Sequence, residues 1–204
     1  PKHNERLLDV ACGLGQEMRK LAFDGVDAKK LFGVDLSQGL IDAGFDLFRD
    51  AGTEGGGADM TFATGDIFAD DTLAGLPEGK RTFDIIHVGH FFHLFRIPDQ
   101  ILVARKLISF LEDKPDVLLF GLNMGTVEAI EVKLGKDVEA KVYSHSPESF
   151  RALWEKVGEE TGTRWSVEAE LAETTEAGKR FASGERWFKG FEGGKYLKWS
   201  VRKA

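Results

Sequence analysis

The stretch from Leu7 to Gln16, which reads LLDVACGLGQ, constrains the fold of this chain more than any other. An apolar run reaches Asp9, then Gly13 and Gly15 flank a single residue, and a helical pattern follows. This order predicts a strand, a tight turn and a helix start, because glycine tolerates positive φ and lets a ligand approach the bare backbone. A second apolar run ends at Asp35. Since an acid at the tip of the next strand can accept both hydroxyls of a ribose, the two segments predict a nucleoside-cofactor site in an α/β sheet.

The hydrophobic pattern predicts five strands that alternate with helices, followed by an antiparallel pair. Predicted strands cover residues 6–11, 31–34, 60–63, 82–88 and 116–120, helices cover 16–23, 38–49, 98–111 and 147–159, and the final pair lies around 165–171 and 197–201. In the first helix, Met18, Leu21 and Ala22 are expected to face inward. Residues 51–58 are glycine-rich and predict a loop, and a polar stretch from about residue 173 to 185 joins the final pair. Together these elements indicate an α/β fold with a doubly wound, mostly parallel sheet and a reversed edge strand.

The amino-acid composition limits the classes of function that this chain can have. A chain of 204 residues with 42% hydrophobic and 30% charged residues is typical of one globular, soluble domain. The net charge of −7 weighs against nucleic-acid binding without excluding it. Cys12 is the single cysteine, so an internal disulfide and a cysteine-built zinc site are excluded, and we expect no metal. No apolar run has the length of a membrane span and no signal peptide is visible, so we expect a cytoplasmic protein with no membrane partner.

The sequence of the glycine turn is compatible with two classes of adenosine-containing cofactor. A dinucleotide fingerprint needs a third small residue after Gly13 and Gly15, and Met18 stands there instead. Three acids nevertheless lie at predicted strand ends, namely Asp9, Asp35 and Asp66 after Gly65. These side chains would meet at the carboxyl edge of the sheet, where open α/β folds bind ligands. The combination favours a cofactor site over a simple tight turn and disfavours a nicotinamide dehydrogenase.

Leu8 to Gly15 and these acids resemble the class I S-adenosylmethionine-dependent methyltransferases, with Ala11 where that family more often has glycine. The resemblance covers essentially the whole chain and implies a single domain over residues 1–204, with a seven-stranded sheet of order 3-2-1-4-5-7-6, the last strand antiparallel and helices on both faces. It implies S-adenosyl-L-methionine as cofactor and S-adenosyl-L-homocysteine as product. The implied cofactor-binding residues are Asp9, Ala11, Cys12, Gly13, Gly15 and Gln16 for the methionine part, Asp35 and Leu36 for the ribose, Asp66 and Ile67 for the adenine, and Val88 and Gly89 for the sulfonium.

A narrower likeness concerns the segment from Phe83 to Phe95, together with 39–42, 46–50, 148–154 and 158–163. These segments are similar to small fungal methyltransferases of secondary metabolism, some of which methylate a carboxyl group on a terpenoid-type intermediate. The likeness implies a small-molecule acceptor methylated on oxygen, either a carboxylate or a phenol. Methylation of nitrogen or of a protein, and a non-catalytic methyltransferase-like binding protein, remain alternatives. In this family helices before the first strand often cover the substrate, and we expect them to be absent from this chain.

The predicted substrate pocket contains His90, Phe91, His93, Asn123 and Met124. His90 follows the fourth strand, on the side where the methyl group should point, so it is the candidate catalytic residue that orients the acceptor or takes its proton. A pocket-wall histidine without catalytic duty explains the position equally well. His87, within the predicted strand, is expected to be structural. Residues 122–143 are longer than an ordinary strand-to-helix connection and predict either a functional lid or disorder.

Overall fold

The computed structural model of the chain describes residues 4–52, 59–133, 141–173 and 195–204. Within these residues it contains nine strands and four α-helices. The strands are β1 (Leu7–Val10), β2 (Leu31–Asp35), β3 (Thr61–Thr64), β4 (Ile85–Gly89), β5 (Leu118–Gly125), β6 (Ile130–Lys133), β7 (Lys141–Ser144), β8 (Trp165–Ala172) and β9 (Lys195–Lys203). The helices are α1 (Gln16–Phe23), α2 (Gln38–Phe48), α3 (Ile97–Ser109) and α4 (Pro147–Thr161).

Seven of these strands form one sheet in the order β3-β2-β1-β4-β5-β9-β8. Strand β1 is parallel to both β2 and β4, β2 is parallel to β3, and β8 is antiparallel to β9. The predicted order 3-2-1-4-5-7-6 is therefore confirmed, because the sheet omits β6 and β7. Those two strands form a separate antiparallel hairpin that the sequence pattern did not predict.

The chain divides into two compact units. The first comprises Pro1–Gly89 and Lys106–Leu119, and the second comprises His90–Arg105 and Phe120–Ala204. The prediction of a single domain stays a prediction.

In the first unit, strands β1 and β2 are buried along their whole length, as expected for parallel strands covered on both faces. Met18 of α1 packs toward Gly33 of β2, where an added Cβ would lie 3.1 Å from the methionine Cε and 2.9 Å from the sulfur of Cys12. Close packing of α1 on β2 is thus allowed by a glycine in the strand and not by a third glycine in the helix. Ser37 caps α2 by accepting a hydrogen bond from the N–H of Leu40.

In the second unit, α4 begins with a capping box in which Ser146 and Ser149 exchange side-chain and backbone hydrogen bonds. Its buried face packs Phe150 against Trp199 of β9, with ring centroids 5.2 Å apart. Phe92 contacts both rings, at 5.7 Å and 5.6 Å. These aromatic contacts form the core of this unit around the antiparallel pair β8–β9.

Three sequence predictions about elements are wrong in detail, and two others are not tested. Residues 65–84 form turns and contain no helix, so the strand–helix alternation is interrupted between β3 and β4. The buried residues of α1 are Met18 and Arg19, whereas Leu21 and Ala22 are half-buried. Strand β5 continues to Gly125, and part of the predicted lid 122–143 is strand β5 and the hairpin β6–β7. Residues 53–58 of the predicted loop, and the joining stretch beyond residue 173, lie outside the described residues.

Candidate functional site

The turn after β1 has an unusual backbone. Ala11, Gly13 and Gly15 all have positive φ, at 57°, 53° and 68°. A left-handed conformation costs a residue such as Ala11 about 1–3 kcal/mol, and strain of this kind is concentrated at functional sites. A Cβ added to Gly13 would meet nothing within 4 Å, whereas one added to Gly15 would lie 2.6 Å from a guanidinium nitrogen of Arg19. The turn therefore leaves backbone bare at Gly13 and is tightly packed at Gly15.

Asp35 joins this turn to the end of β2. Its side chain accepts hydrogen bonds from the N–H of Gly13 at 2.8 Å and from the N–H of Ser37 at 2.9 Å, one on each carboxylate oxygen. The residue is 8% exposed. An ionised carboxylate has about four lone-pair sites, so each oxygen keeps capacity for a further donor such as a ribose hydroxyl. The structure thus brings together two residues that the sequence assigned to the same site.

Asp9 and His87 form a buried pair across β1 and β4. The Asp9 Oδ1 and His87 Nδ1 atoms are 2.7 Å apart, and Asp9 is 3% exposed. Burial raises the pKa of Asp9, although the hydrogen bond from His87 opposes this change. Burial disfavours the charged form of His87, but the hydrogen bond and charge of Asp9 outweigh it and raise the pKa of the imidazole. A Cβ on Gly89 would lie 3.1 Å from His87 Cε1, so the imidazole lies directly beside the end of β4.

The other predicted cofactor residues also belong to the first unit. Asp66 is exposed and accepts a hydrogen bond from the N–H of Phe68 at 2.9 Å, while Ile67 is buried beside it. The N–H of Gly65 donates to the carbonyl of Asp35 at 2.9 Å, which links the ends of β3 and β2. Leu36 is 71% exposed.

Three further predicted positions differ in exposure. Val88 is buried, and Gln16 is the exposed first residue of α1. Cys12 is buried, and burial together with the nearby acids Asp9 and Asp35 raises the pKa of its thiol. A thiol that keeps its proton is a poor nucleophile, so the buried Cys12 is suited to packing rather than to covalent chemistry.

In the second unit, residues of β5 hold the backbone of His90 and Phe91. The N–H of His90 donates to the carbonyl of Leu122 at 2.6 Å, and the N–H of Phe91 donates to Asn123 Oδ1 at 3.1 Å. His90 has a φ of 52° and is exposed. Asn123 is 2% exposed. The backbone around His90 is thus fixed in a left-handed conformation by β5, while its side chain remains accessible.

Two aromatic side chains flank His90. The His93 ring lies 6.2 Å and the Tyr196 ring 5.7 Å from it, centroid to centroid, both in edge-on geometry. Burial, with a smaller contribution from the charge of His90, lowers the pKa of His93 to about 4. His93 is therefore neutral at pH 7, and its Nδ1 lies 3.5 Å from the N–H of Met124, which donates to it.

The predicted pocket residues His90, Phe91, His93, Asn123 and Met124 accordingly lie in one cluster. Sequence reasoning missed Tyr196 in this cluster and Arg19 beside the glycine turn. Tyr196 follows a polar stretch and opens a strand, and Arg19 is a charged residue in a short amphipathic helix, so neither position carried a recognisable signal.

The described residues contain no group of three or more His, Cys, Asp or Glu side chains placed to hold a metal ion. None of their helices combines the length and apolar character needed to cross a membrane.

A model of the methyltransferase domain matches residues 7–114, which is more than half of the chain. The chain belongs to the methyltransferase family. Its resemblance to the class I S-adenosylmethionine-dependent enzymes is thereby confirmed, and the sheet order described above is in agreement.

Curated relatives come from fungi. The chain is 35% identical over 177 residues to O-methyltransferase phiE of a fungal species, covering 87% of this chain and 57% of that protein. It is 34% identical over 186 residues to O-methyltransferase atr3 of Stereocaulon alpinum, covering 90% of this chain and 50% of that protein. The chain thus spans 57% and 50% of the length of these two relatives.

Solved structures share the fold. Magnesium protoporphyrin IX methyltransferase from Synechocystis, crystallised with bound SAM, superposes with a TM-score of 0.59 at 14% identity, covering 98% of this chain and 71% of that one. At this identity the similarity shows the fold alone, and the acceptor has to be inferred from other observations.

Proposed function

We propose that this chain binds S-adenosylmethionine in its first unit and transfers the methyl group to an oxygen of a small-molecule acceptor. The observation that carries the proposal is the link between Gly13 and Asp35, because it joins a bare glycine turn to a carboxylate with spare acceptor capacity. S-adenosylmethionine supplies an electrophilic methyl group on a sulfonium. The bound SAM in the Synechocystis structure and the O-methyltransferase names of the fungal relatives support the same assignment.

Each residue of the first unit has a proposed role in holding the cofactor. Asp35, beside the exposed Leu36, accepts the ribose hydroxyls, and the exposed carboxylate of Asp66, beside the buried Ile67, accepts from the adenine amino group. The remaining positions border the methionine part and the sulfonium, and they are Asp9, Ala11, Cys12, Gly13, Gly15, Gln16, Val88 and Gly89. The carboxylates of Asp35 and Asp66 near a cationic ligand also favour its binding electrostatically.

The acceptor class determines whether the transfer needs a general base. A carboxylate acceptor is ionised at neutral pH and needs no base, whereas a phenol with a pKa near 10 gains from one. We propose that His90 orients the acceptor and takes the proton of a phenol, with Phe91, His93, Asn123 and Met124 lining the acceptor site. Holding the acceptor oxygen in line with the methyl–sulfur bond can contribute about 7–11 kcal/mol to catalysis.

The cofactor proposal is tested by calorimetric titration of S-adenosylmethionine into the wild type and into Asp35→Ala. We expect the substitution to abolish detectable binding, because it removes both the ribose acceptor and the group that fixes the N–H of Gly13. Asp27→Ala is the matched control: Asp27 is an exposed acid of the same unit that accepts from the N–H of Lys29 at 3.1 Å and caps a single turn of 3-10 helix. Near-wild-type affinity in Asp35→Ala would contradict the site.

Mass spectrometry of the purified protein separates the broader alternatives. Co-purified S-adenosylhomocysteine supports the proposal, and a nicotinamide nucleotide contradicts it. A screen of carboxylic acids, phenols, amines and peptides with labelled cofactor then identifies the acceptor. Labelling of amines or peptides alone would transfer the assignment to nitrogen or protein methylation, and cofactor binding without labelling of any acceptor would favour a regulatory binding protein.

A further inference from the structure

Arg19 is a buried cation on α1, next to the glycine turn. Its side chain is 8% exposed. The guanidinium makes two hydrogen bonds to the carboxylate of Asp50, at 2.7 Å and 3.0 Å, and a third from Nη1 to the carbonyl of Leu14 at 2.6 Å. A guanidinium is suited to this arrangement because its planar fork can bind a carboxylate with two donors and still present another donor elsewhere.

Three aromatic rings enclose the same guanidinium. Its Cζ atom lies 5.2 Å from the ring of Phe45, 4.7 Å from Phe48 and 5.2 Å from Phe62. Rings at this distance attract a cation through their quadrupoles and exclude water from it. The hydrogen bond to the Leu14 carbonyl is therefore made in a partly desolvated environment, where it is stronger than a solvent-exposed contact.

Leu14 lies between Gly13 and Gly15, and its carbonyl is confined from a second side as well. A Cβ on Gly44 of α2 would lie 2.4 Å from that carbonyl oxygen. On the preceding residue, the N–H of Gly13 is held by Asp35. The glycine turn is thus fixed by Asp35 at the peptide group between Cys12 and Gly13 and by Arg19 at the one between Leu14 and Gly15. Helix α2 packs against the second of these peptide groups.

We propose that Arg19 is a positioning residue that orders the backbone of the glycine turn before the cofactor binds. This inference rests on the proposed function and deepens it, because it names the residue that prepares the turn for S-adenosylmethionine. Ordering a flexible glycine segment beforehand removes an entropic cost from the binding step. Arg19 therefore acts on cofactor affinity and leaves the transfer step at saturating cofactor unchanged.

A purely structural arginine would behave differently. Its loss would lower thermal stability and the fraction of active protein, but each folded molecule would still bind the cofactor with normal affinity. The dissociation constant and the KM for S-adenosylmethionine, measured separately from kcat and from the melting temperature, therefore distinguish the two roles.

The test compares Arg19→Lys with Arg6→Lys. Lysine keeps the charge but lacks the planar fork. Arg6 is a matched control in the same unit: its guanidinium binds Glu112 at 2.7 Å and lies 5.9 Å from the ring of Phe83, but it precedes β1 and does not contact the turn. We expect Arg19→Lys to raise the dissociation constant and the KM for S-adenosylmethionine by about tenfold or more with kcat retained, and Arg6→Lys to leave both unchanged.

Asp50→Asn provides a second variant if Arg19→Lys does not fold. It keeps Arg19 in place but replaces the carboxylate that aims the guanidinium at Leu14, so we expect a smaller rise in the same two constants. If the wild type binds S-adenosylmethionine and both variants bind it equally well, the role of Arg19 is refuted while the proposed function stands. If the wild type itself does not bind the cofactor, the proposed function fails and this inference fails with it.

Discussion

His145 lies in the interior of the second unit, where its two ring nitrogens have different partners. Nε2 is 2.7 Å from Gln100 Oε1, and Nδ1 is 2.8 Å from the hydroxyl of Ser149. The Gln100 amide nitrogen donates to the carbonyls of Phe95 and Tyr143, so its oxygen faces the imidazole as an acceptor. His145 therefore donates from Nε2 in its neutral form. Burial disfavours a second proton and lowers the pKa to about 4.

This lowered pKa predicts a loss of stability in acid. An exposed histidine in the unfolded chain has a pKa of about 6.5. Between about pH 6.5 and pH 4, the unfolded state therefore binds one more proton at this residue than the folded state does. The contribution of His145 is complete above pH 6.5 and is lost as the pH falls through that window, at about 1.4 kcal/mol per pH unit. We expect urea unfolding of His145→Gln to depend less steeply on pH over this range than the wild type does.

His93 also has a pKa lowered to about 4, but it is present in both proteins, so its contribution cancels in the difference. Equal pH slopes for His145→Gln and the wild type would show that His145 titrates normally in the folded protein.

His90 differs from His145 because it is exposed and its backbone is strained. The proposal gives it a proton to accept only when the acceptor is a phenol. We therefore expect His90→Gln to lower kcat about 10²-fold or more toward a phenol and to leave kcat toward a carboxylic acid within a few-fold of wild type. Turnover of both acceptors in the same variant, followed with labelled cofactor, makes the carboxylic acid an internal control. Unchanged turnover of the phenol would mean that His90 lines the pocket without acting as a base.

At the scale of the elements, the features that could be predicted best are those that neighbouring residues in the sequence determine, such as strand ends and turns. The ends of β1 and β2 carry Gly13 and Asp35, and parallel neighbours bring strand ends to one edge, so their proximity followed from the order of the elements. The burial of Arg19 could not be predicted, because it depends on Asp50 and on three rings that distant parts of the chain supply. The hairpin β6–β7 was also missed, since its short strands resemble an irregular connection.

The packing of α2 against the glycine turn gives a prediction for two glycines of the same helix. A Cβ on Gly44 would lie 2.4 Å from the backbone carbonyl of Leu14, while the nearest atom to a Cβ on Gly39 would be the side-chain oxygen of Ser37 at 3.7 Å. We expect Gly44→Ala to lower the free energy of unfolding by about 1–3 kcal/mol through overpacking. Gly39→Ala should be neutral or stabilising by up to about 1 kcal/mol, because alanine is the better helix former.

Urea unfolding of the two variants beside the wild type measures both effects. Equal stabilities for Gly44→Ala and Gly39→Ala would mean that α2 does not pack closely on the turn.

At the scale of the whole molecule, the chain is related to fungal proteins and spans about half of their length. The family match covers residues 7–114 and includes every residue proposed to hold the cofactor. Of the proposed acceptor residues, His90, Phe91 and His93 also lie within that range, whereas Asn123 and Met124 follow it.

Calorimetry of the whole chain tests the single-domain prediction and the cofactor proposal together. A ligand that binds only the folded state stabilises the cooperative unit that holds it, by about 2.7 kcal/mol at a hundred times its dissociation constant. If residues 1–204 are one domain, we expect a single transition whose calorimetric and van't Hoff enthalpies agree. S-adenosylmethionine at that excess should then raise the midpoint of the whole transition by roughly 5–10 °C, at about 2–4 °C per kcal/mol for a chain of this size. Two transitions, of which only one responds to the cofactor, would contradict the single domain and identify the responding unit as the one that binds.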